Sequence, residues 1–121
     1  VIPDADKLGI WELSEAIADL AEKARTGSLS MNDMRGGSFS VSSLGNIGGT
    51  GFTPIINAPE VAILGVSRLD TRPVWQGDAF KPRQILPLSL SYDHRAINGA
   101  EAGRFMAALK DVLADIRRLS L

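Results

Sequence analysis

Apolar residues recur at helical spacing near the start of the chain and again at its end, with short extended patterns between. Over residues 7–26, Ile10, Leu13, Ile17, Leu20 and Ala24 fall on one face, while Glu12, Glu15, Asp19, Glu22 and Lys23 fill the other. Lys23 and Arg25 followed by Gly27 make a C-terminal stop. Trp11 is either a core anchor or an interface residue, and is expected in a core. Residues 28–37 read as a connector in which Ser30, Asn32 and Asp33 can cap one short helical turn.

Ser38–Ser43 alternates, with Phe39 and Val41 on one face and Ser38, Ser40 and Ser42 on the other, the pattern of a half-buried strand. The glycine-rich stretch from Leu44 to Pro54 has neither the spacing of a dinucleotide fingerprint nor the Gly-Lys-Ser/Thr of a phosphate loop. It is expected to be a shaped, buried loop. Val61–Val66 is a nearly continuous apolar run, as in a strand covered on both faces. Pro73–Gln76, Gly77-Asp78 and Ala79–Lys81 read as an exposed hairpin. Ile85–Tyr92 is the longest expected strand, with Leu86, Leu88, Leu90 and Tyr92 on one face and an exposed or bulged point at Pro87. Asn98–Arg118 is a helix on the stripe Ala102, Phe105, Met106, Leu109, Val112, Leu113 and Ile116, with Arg117 and Arg118 at the negative end of its dipole. The pattern predicts an α/β fold with helices packed on one face of a sheet.

Composition narrows the function classes. At 121 residues, 45% hydrophobic and 22% charged, the chain has the make-up of one ordinary globular domain. A net charge of −1 supplies no footprint for nucleic acid or an anionic membrane. No apolar stretch approaches the ~20 residues of a membrane span, and no signal-peptide pattern is present. Zero cysteines remove a disulfide framework, a thiolate nucleophile and Cys-ligated zinc together, which fits a reducing compartment. Val1-Ile2-Pro3 reads as the tail of a strand cut in the middle, so the chain is expected to be a piece of a longer domain.

His94 is the single histidine, placed where an apolar strand gives way to a helix. It is either a satisfied structural residue or a general base, since imidazole exchanges protons near neutrality. Asn98, four residues on, can return its amide toward the histidine and fix its orientation. Asp93 and Arg95 flank it with opposite charges and read as a local ion pair or solvated corner in preference to a direct catalytic role. A serine hydrolase built on His94 with Ser42 or Ser43 lacks the Gly-x-Ser-x-Gly elbow and a placed carboxylate.

Asp93-His94-Arg95 with Gly99, ahead of an amphipathic C-terminal helix, resembles the active-site signature of the dihydrolipoamide acyltransferases, core components of the 2-oxo acid dehydrogenase complexes. Residues 39–45, 47–50, 52–65 and 88–92 are similar to that family in the same order, and the run from Phe52 to Glu60 is most like the acetyl-transferring, pyruvate dehydrogenase branch of bacteria. The resemblance implies a chloramphenicol acetyltransferase-like two-layer α/β sandwich, of which residues 1–121 are the C-terminal half: a mixed sheet with helices on one face. It implies acetyl transfer between dihydrolipoamide and coenzyme A, with branched-chain acyl or succinyl transfer, or a non-catalytic assembly fragment, as alternatives. In that scheme His94 is the base on the attacking thiol, Ser42 donates to the oxyanion, and Asn98, where many members have Asp, has a positioning role. Ser43 points to the opposite face.

Lipoamide on a separate lipoyl domain and coenzyme A are the implied substrates, with no metal. The implied partners are two further copies in a homotrimer building a cubic or icosahedral core, the absent N-terminal half of the domain with its coenzyme A contacts, and the dehydrogenase components. Neither nucleic acid nor membrane is among them, and the setting is the bacterial cytoplasm. The family's site lies between subunits, so Ser42 and His94 are expected to meet across that interface. A lone half-domain is expected to expose large apolar faces.

Overall fold

The computed structural model describes residues 1–47 and 49–118 and divides into two compact units, Val1–Ser38 and Phe39–Leu121. Gly48 of the glycine loop and the side chain of Ile116, expected on the C-terminal stripe, lie outside the described residues.

In the first unit, α1 spans Ile10–Thr26. The Gly9 N–H donates to Glu12 Oε2 at 2.7 Å, giving the helix start an acceptor. Gly27 ends the helix at φ 69°, where a side chain is strained. Its N–H reaches the Ala24 carbonyl while the Ser28 N–H reaches that of Lys23. The connector forms the expected capped turn. Ser30 N–H and Oγ donate to Asp33 Oδ2 at 2.8 and 2.7 Å, and the Asp33 N–H returns to Ser30 Oγ. Residues 1–3 form no strand. The core expectation for Trp11 is overturned: it is 84% exposed, and no residue of α1 is buried. One helix and a short connector offer no opposing layer within this unit.

The second unit is built on a mixed three-stranded sheet in the order β1 (Ser40–Ser43), β2 (Ala62–Val66) and β5 (Leu88–Tyr92). β1 runs parallel to β2, and β5 antiparallel to it. The register sorts the faces. Val41, Leu64 and Leu90 form one apolar row, while Ser42, Gly65 and Ser89 form a row on the reverse side. Helix α2 (Gly99–Ala114) covers the apolar face, burying Ala102 and setting the ring of Phe105 6.1 Å from that of Phe39. On the serine face, Phe52 and Pro54 close over Gly65: a Cβ there would stand 2.9 Å from Phe52 Cζ and 3.2 Å from Pro54 Cδ. With both faces covered, Ala62, Ile63 and Leu64 are buried, as the unbroken apolar run predicts. Val41 nevertheless stays 64% exposed, and Ile55, Phe105 and Leu113 are also exposed.

Three expectations change in this unit. The strand expected over 85–92 is two strands in different sheets, with Pro87, which has no N–H to give a ladder, at the crossing between them. Ile85 closes β4 (Phe80–Ile85), which pairs with β3 (Asp70–Trp75) in a separate hairpin, and β5 begins only at Leu88. The hairpin turns where expected, through Gly77 at φ 81°, with the Gln76 N–H on the Ala79 carbonyl. The C-terminal helix stops at Ala114, where Asp115 turns extended and a 3₁₀ turn follows over Ile116–Arg118. Arg117 pairs with Asp115 at 2.7 Å and lies outside the last turn of α2. Finally, the described glycines of the 44–54 loop are exposed, while Leu44, Phe52 and Pro54 are drawn inward.

Gly65→Ala would force Phe52 or the 52–54 segment off the sheet. Overpacking of this kind costs about 1–3 kcal/mol, so denaturant unfolding of the full-length protein should show a lower midpoint with an unchanged slope.

Candidate active site

The end of β5 is fixed by backbone bonds before any side chain acts. The Asp93 N–H donates to the Val61 carbonyl at 2.8 Å, carrying the β2–β5 ladder one residue further. The Asp93 carbonyl then accepts from the N–H groups of Ala96 and Ile97, both at 3.0 Å, which folds residues 93–97 into a tight turn. His94 rides on this turn, exposed, with its ring centroid 5.6 Å from that of Tyr92 and tilted by 40°.

The flanking charges form the local ion pair that the sequence suggests. Arg95 Nε lies 2.9 and 3.1 Å from the two Asp93 carboxylate oxygens, Nη2 lies 2.6 Å from Oδ2, and the Arg95 backbone N–H donates to Oδ1 at 3.0 Å. The guanidinium, helped by that N–H, holds the Asp93 carboxyl down at about 2.

Asn98 is the N-cap of α2. Its Oδ1 accepts the Glu101 N–H at 3.0 Å, and Glu101 Oε2 accepts the Asn98 N–H at 3.1 Å, a reciprocal capping box. Among the described residues no hydrogen bond joins Asn98 to His94. Its observed work is to start the helix immediately after the histidine turn. The Asn98–Glu101 spacing carries this signal, which the reading of Asn98 as a partner of His94 passed over.

Ser42 lies on β1, on the serine face. It borders a cleft of about 510 Å³ with Ser40, Phe52, Pro54, Ile55 and Asn57. Asn57 Nδ2 donates to Ser40 Oγ at 3.3 Å and ties the 52–57 segment to the strand. Ser43 points the other way, as alternation requires, and its Oγ accepts the Gly45 N–H at 3.2 Å. No group of three His, Asp or Glu able to hold a metal occurs among the described residues.

The structure does not bring Ser42 and His94 together. Ser42 is level with Gly65 and Ser89, two strands across from β5, and His94 stands five residues beyond Ser89. Strand spacing of about 4.8 Å and a rise of about 3.3 Å per residue put them roughly 15–20 Å apart. One chain therefore offers an imidazole at one sheet end and a hydroxyl near the other, too far apart to share a reacting carbon. The same distance disposes of a Ser42–His94 hydrolase within the chain.

Residues 1–121 match the model of the 2-oxoacid dehydrogenases acyltransferase (catalytic domain) family. The chain belongs to that family. It is 61% identical over 121 residues to the dihydrolipoyllysine-residue acetyltransferase component of the pyruvate dehydrogenase complex of Pseudomonas aeruginosa, and 59% identical to that of Azotobacter vinelandii. A succinyltransferase component of the 2-oxoglutarate dehydrogenase complex of Arabidopsis thaliana is 45% identical. The chain covers 22% and 19% of the two acetyltransferases, about a fifth of their length. Two solved structures superpose with a TM-score of 0.91 at 59% identity: the cubic core of a pyruvate dehydrogenase multienzyme complex, and a structure from a study of a serine, a histidine and an asparagine in the catalytic mechanism of Azotobacter vinelandii dihydrolipoamide acetyltransferase. Each match covers 96% of this chain and 48% of the other. As a stretch of this family's catalytic domain, the mixed sheet with a helix on its apolar face has the expected architecture.

The Asp93 carboxyl titrates at about 2 against an ordinary 3.8. The ion pair's stabilisation is therefore complete above pH 3.8 and is lost as pH falls through about 2. A ¹³C titration of the Asp93 carboxyl should show the low midpoint, and Arg95→Gln should return it to the ordinary range.

Proposed function

We propose that the protein carrying this chain transfers an acetyl group between dihydrolipoamide and coenzyme A. The observation that supports this most directly is a spacing. The serine, histidine and asparagine studied in the Azotobacter vinelandii enzyme stand 52 and 4 residues apart in its chain, as Ser42, His94 and Asn98 do here. Acetyl is favoured over succinyl by identities of 61% and 59% against 45%. Residues 1–121 are then the C-terminal half of the catalytic domain, in line with the 48% coverage of the solved chains.

In the reaction, an imidazole nitrogen of His94 takes the proton of the attacking thiol, and the thiolate sulfur adds to the thioester carbonyl carbon. The hydroxyl of Ser42 donates to the resulting oxyanion. Collapse breaks the original carbon–sulfur bond, and the imidazolium returns its proton to the departing thiolate. Asn98 acts by position, starting α2 where the histidine turn ends. It contributes no proton chemistry.

The separation of Ser42 from His94 makes the site a shared one, with the histidine of one copy meeting the serine of a neighbour. This suits a trimer within a cubic core, which the coenzyme A contacts of the domain's other half complete. The lipoyl group arrives on another domain, the dehydrogenase components are further partners, and the setting is the bacterial cytoplasm.

In the full-length protein, Ser42→Ala should lower kcat by about 10²–10³-fold, the effect of losing one oxyanion donor. His94→Ala should remove about 10²–10⁴-fold, the usual contribution of a general base. Co-expressing the two variants should restore activity at roughly a quarter of the sites if copies pair at random. A co-expressed mixture as inactive as either single variant would refute the shared site.

A further inference from the structure

His94 makes no hydrogen bond of its own among the described residues, and its single ring neighbour is Tyr92. A general base needs a set orientation, so something other than a side-chain bond must supply it. The structure shows what does. The residues immediately before and after the histidine are joined to each other three times: by the Arg95 N–H on Asp93 Oδ1, by Arg95 Nε between both oxygens, and by Nη2 on Oδ2. The backbone of Asp93 is meanwhile pinned on both sides, by its N–H on Val61 and by its carbonyl under Ala96 and Ile97.

We infer that Asp93 and Arg95 are positioning residues for His94, their ion pair closing the 93–97 turn and so fixing where the imidazole stands. The inference rests on the reading of His94 as the base. With the Arg95 side chain 91% exposed, solvent screens much of the stability that the pair adds. What it adds is geometry. A guanidinium fork gripping both carboxylate oxygens fixes direction as well as distance, which an ammonium does not. The same device recurs away from the site, where Asp115 and Arg117 pair through Nε at 2.7 Å and Nη2 at 2.8 Å, with the Arg117 N–H on Oδ1 at 3.2 Å. There it shapes the 3₁₀ turn beyond α2, about 24 Å along the chain's last helix from Asn98. The pairing is therefore selective, since Asp33 and Asp70, also two residues before an arginine, bond Ser30 and the Thr71 N–H instead, and at 93–95 the residue it brackets is the histidine.

Steady-state kinetics of the full-length enzyme test the assignment. Arg95→Gln should lower kcat by about 10–100-fold, the scale of a small misplacement of a catalytic group, with KM for coenzyme A and for dihydrolipoamide unchanged within about twofold. Arg95→Lys, keeping the charge without the fork, should recover only part of the loss. Asp93→Asn should match Arg95→Gln, and the double variant should cost no more than either single one. Hydrogen exchange at the Ala96 and Ile97 amides should quicken in Arg95→Gln while that of the β2–β5 ladder does not. Arg117→Gln, breaking the equivalent pair elsewhere, should leave kcat as it was.

A raised KM for coenzyme A at unchanged kcat would overturn the inference and make Arg95 a contact for the anionic substrate. Unchanged kinetics would overturn it too, as would a loss that only follows the fraction of folded protein. His94→Ala run alongside keeps the two readings apart. If it retains activity, the assignment of the base fails; if it is inactive while Arg95→Gln is fully active, only the positioning role fails.

Discussion

The central sheet of the second unit is built around β2, a five-residue strand that is covered on both faces and paired on both edges. Burial of Ala62, Ile63 and Leu64 requires every backbone polar group there to find a partner, and the parallel ladder with β1 and the antiparallel ladder with β5 supply them. A slip of one residue in either ladder would turn apolar rows outward and serines inward, so the register is stringently set. That register sets where the candidate site residues stand. It puts Ser42 level with Gly65, puts Tyr92 level with Ala62, and leaves His94 just past the sheet's end. Gly65 is the point where the constraint is tightest, since the strand can be covered on the serine side only if Phe52 and Pro54 press against bare backbone.

The histidine turn is an outgrowth of the same strand. The Val61 carbonyl, the last acceptor before Ala62, holds the Asp93 N–H, so the ladder that buries β2 also anchors the residue preceding His94. The chain then spends four residues before Asn98 opens α2 with its own cap. Between one ladder and one cap, the imidazole is carried by a segment bounded at both ends, and the Asp93–Arg95 pair takes up the freedom that remains.

Much of this was legible in the residues. The unbroken run at 61–66 named the doubly covered strand, alternation separated Ser42 from Ser43, and Gly77-Asp78 named the hairpin turn. Where the reading failed, the cause lay in information a periodic pattern does not hold. Leu86, Leu88 and Leu90 keep perfect alternation through Pro87, but the chain changes sheets there, with Ile85 level with Asp70 in the hairpin and Leu88 level with Val66 in the central sheet. Ile116 continues the helical stripe in sequence, yet Asp115 takes the Arg117 side chain and departs from helical geometry. Trp11 shows the other kind of failure: an aromatic beside an apolar stripe says that burial is wanted, and nothing in its own unit provides it. At the site, the residues themselves singled out His94 and Asn98 and the family resemblance added Ser42, but the distance between Ser42 and His94 is a product of sheet register and could be read only once the strands were paired.

Pro87 also divides the molecule in a way that reaches beyond strand boundaries. Val66, where β2 ends, is paired with Leu88, where β5 begins, so the chain leaves the central sheet and returns to the adjacent position. The Ser67 N–H on the Pro87 carbonyl ties the exit to the return. The β3–β4 hairpin between them is therefore an excursion whose length does not enter the register of the sheet. Such an appendage can be lengthened, trimmed or exchanged while the rows that place Ser42 and His94 stay as they are. The exposed Trp75 and Phe80 at its far end belong to the part of this fold most free to change without moving the candidate site.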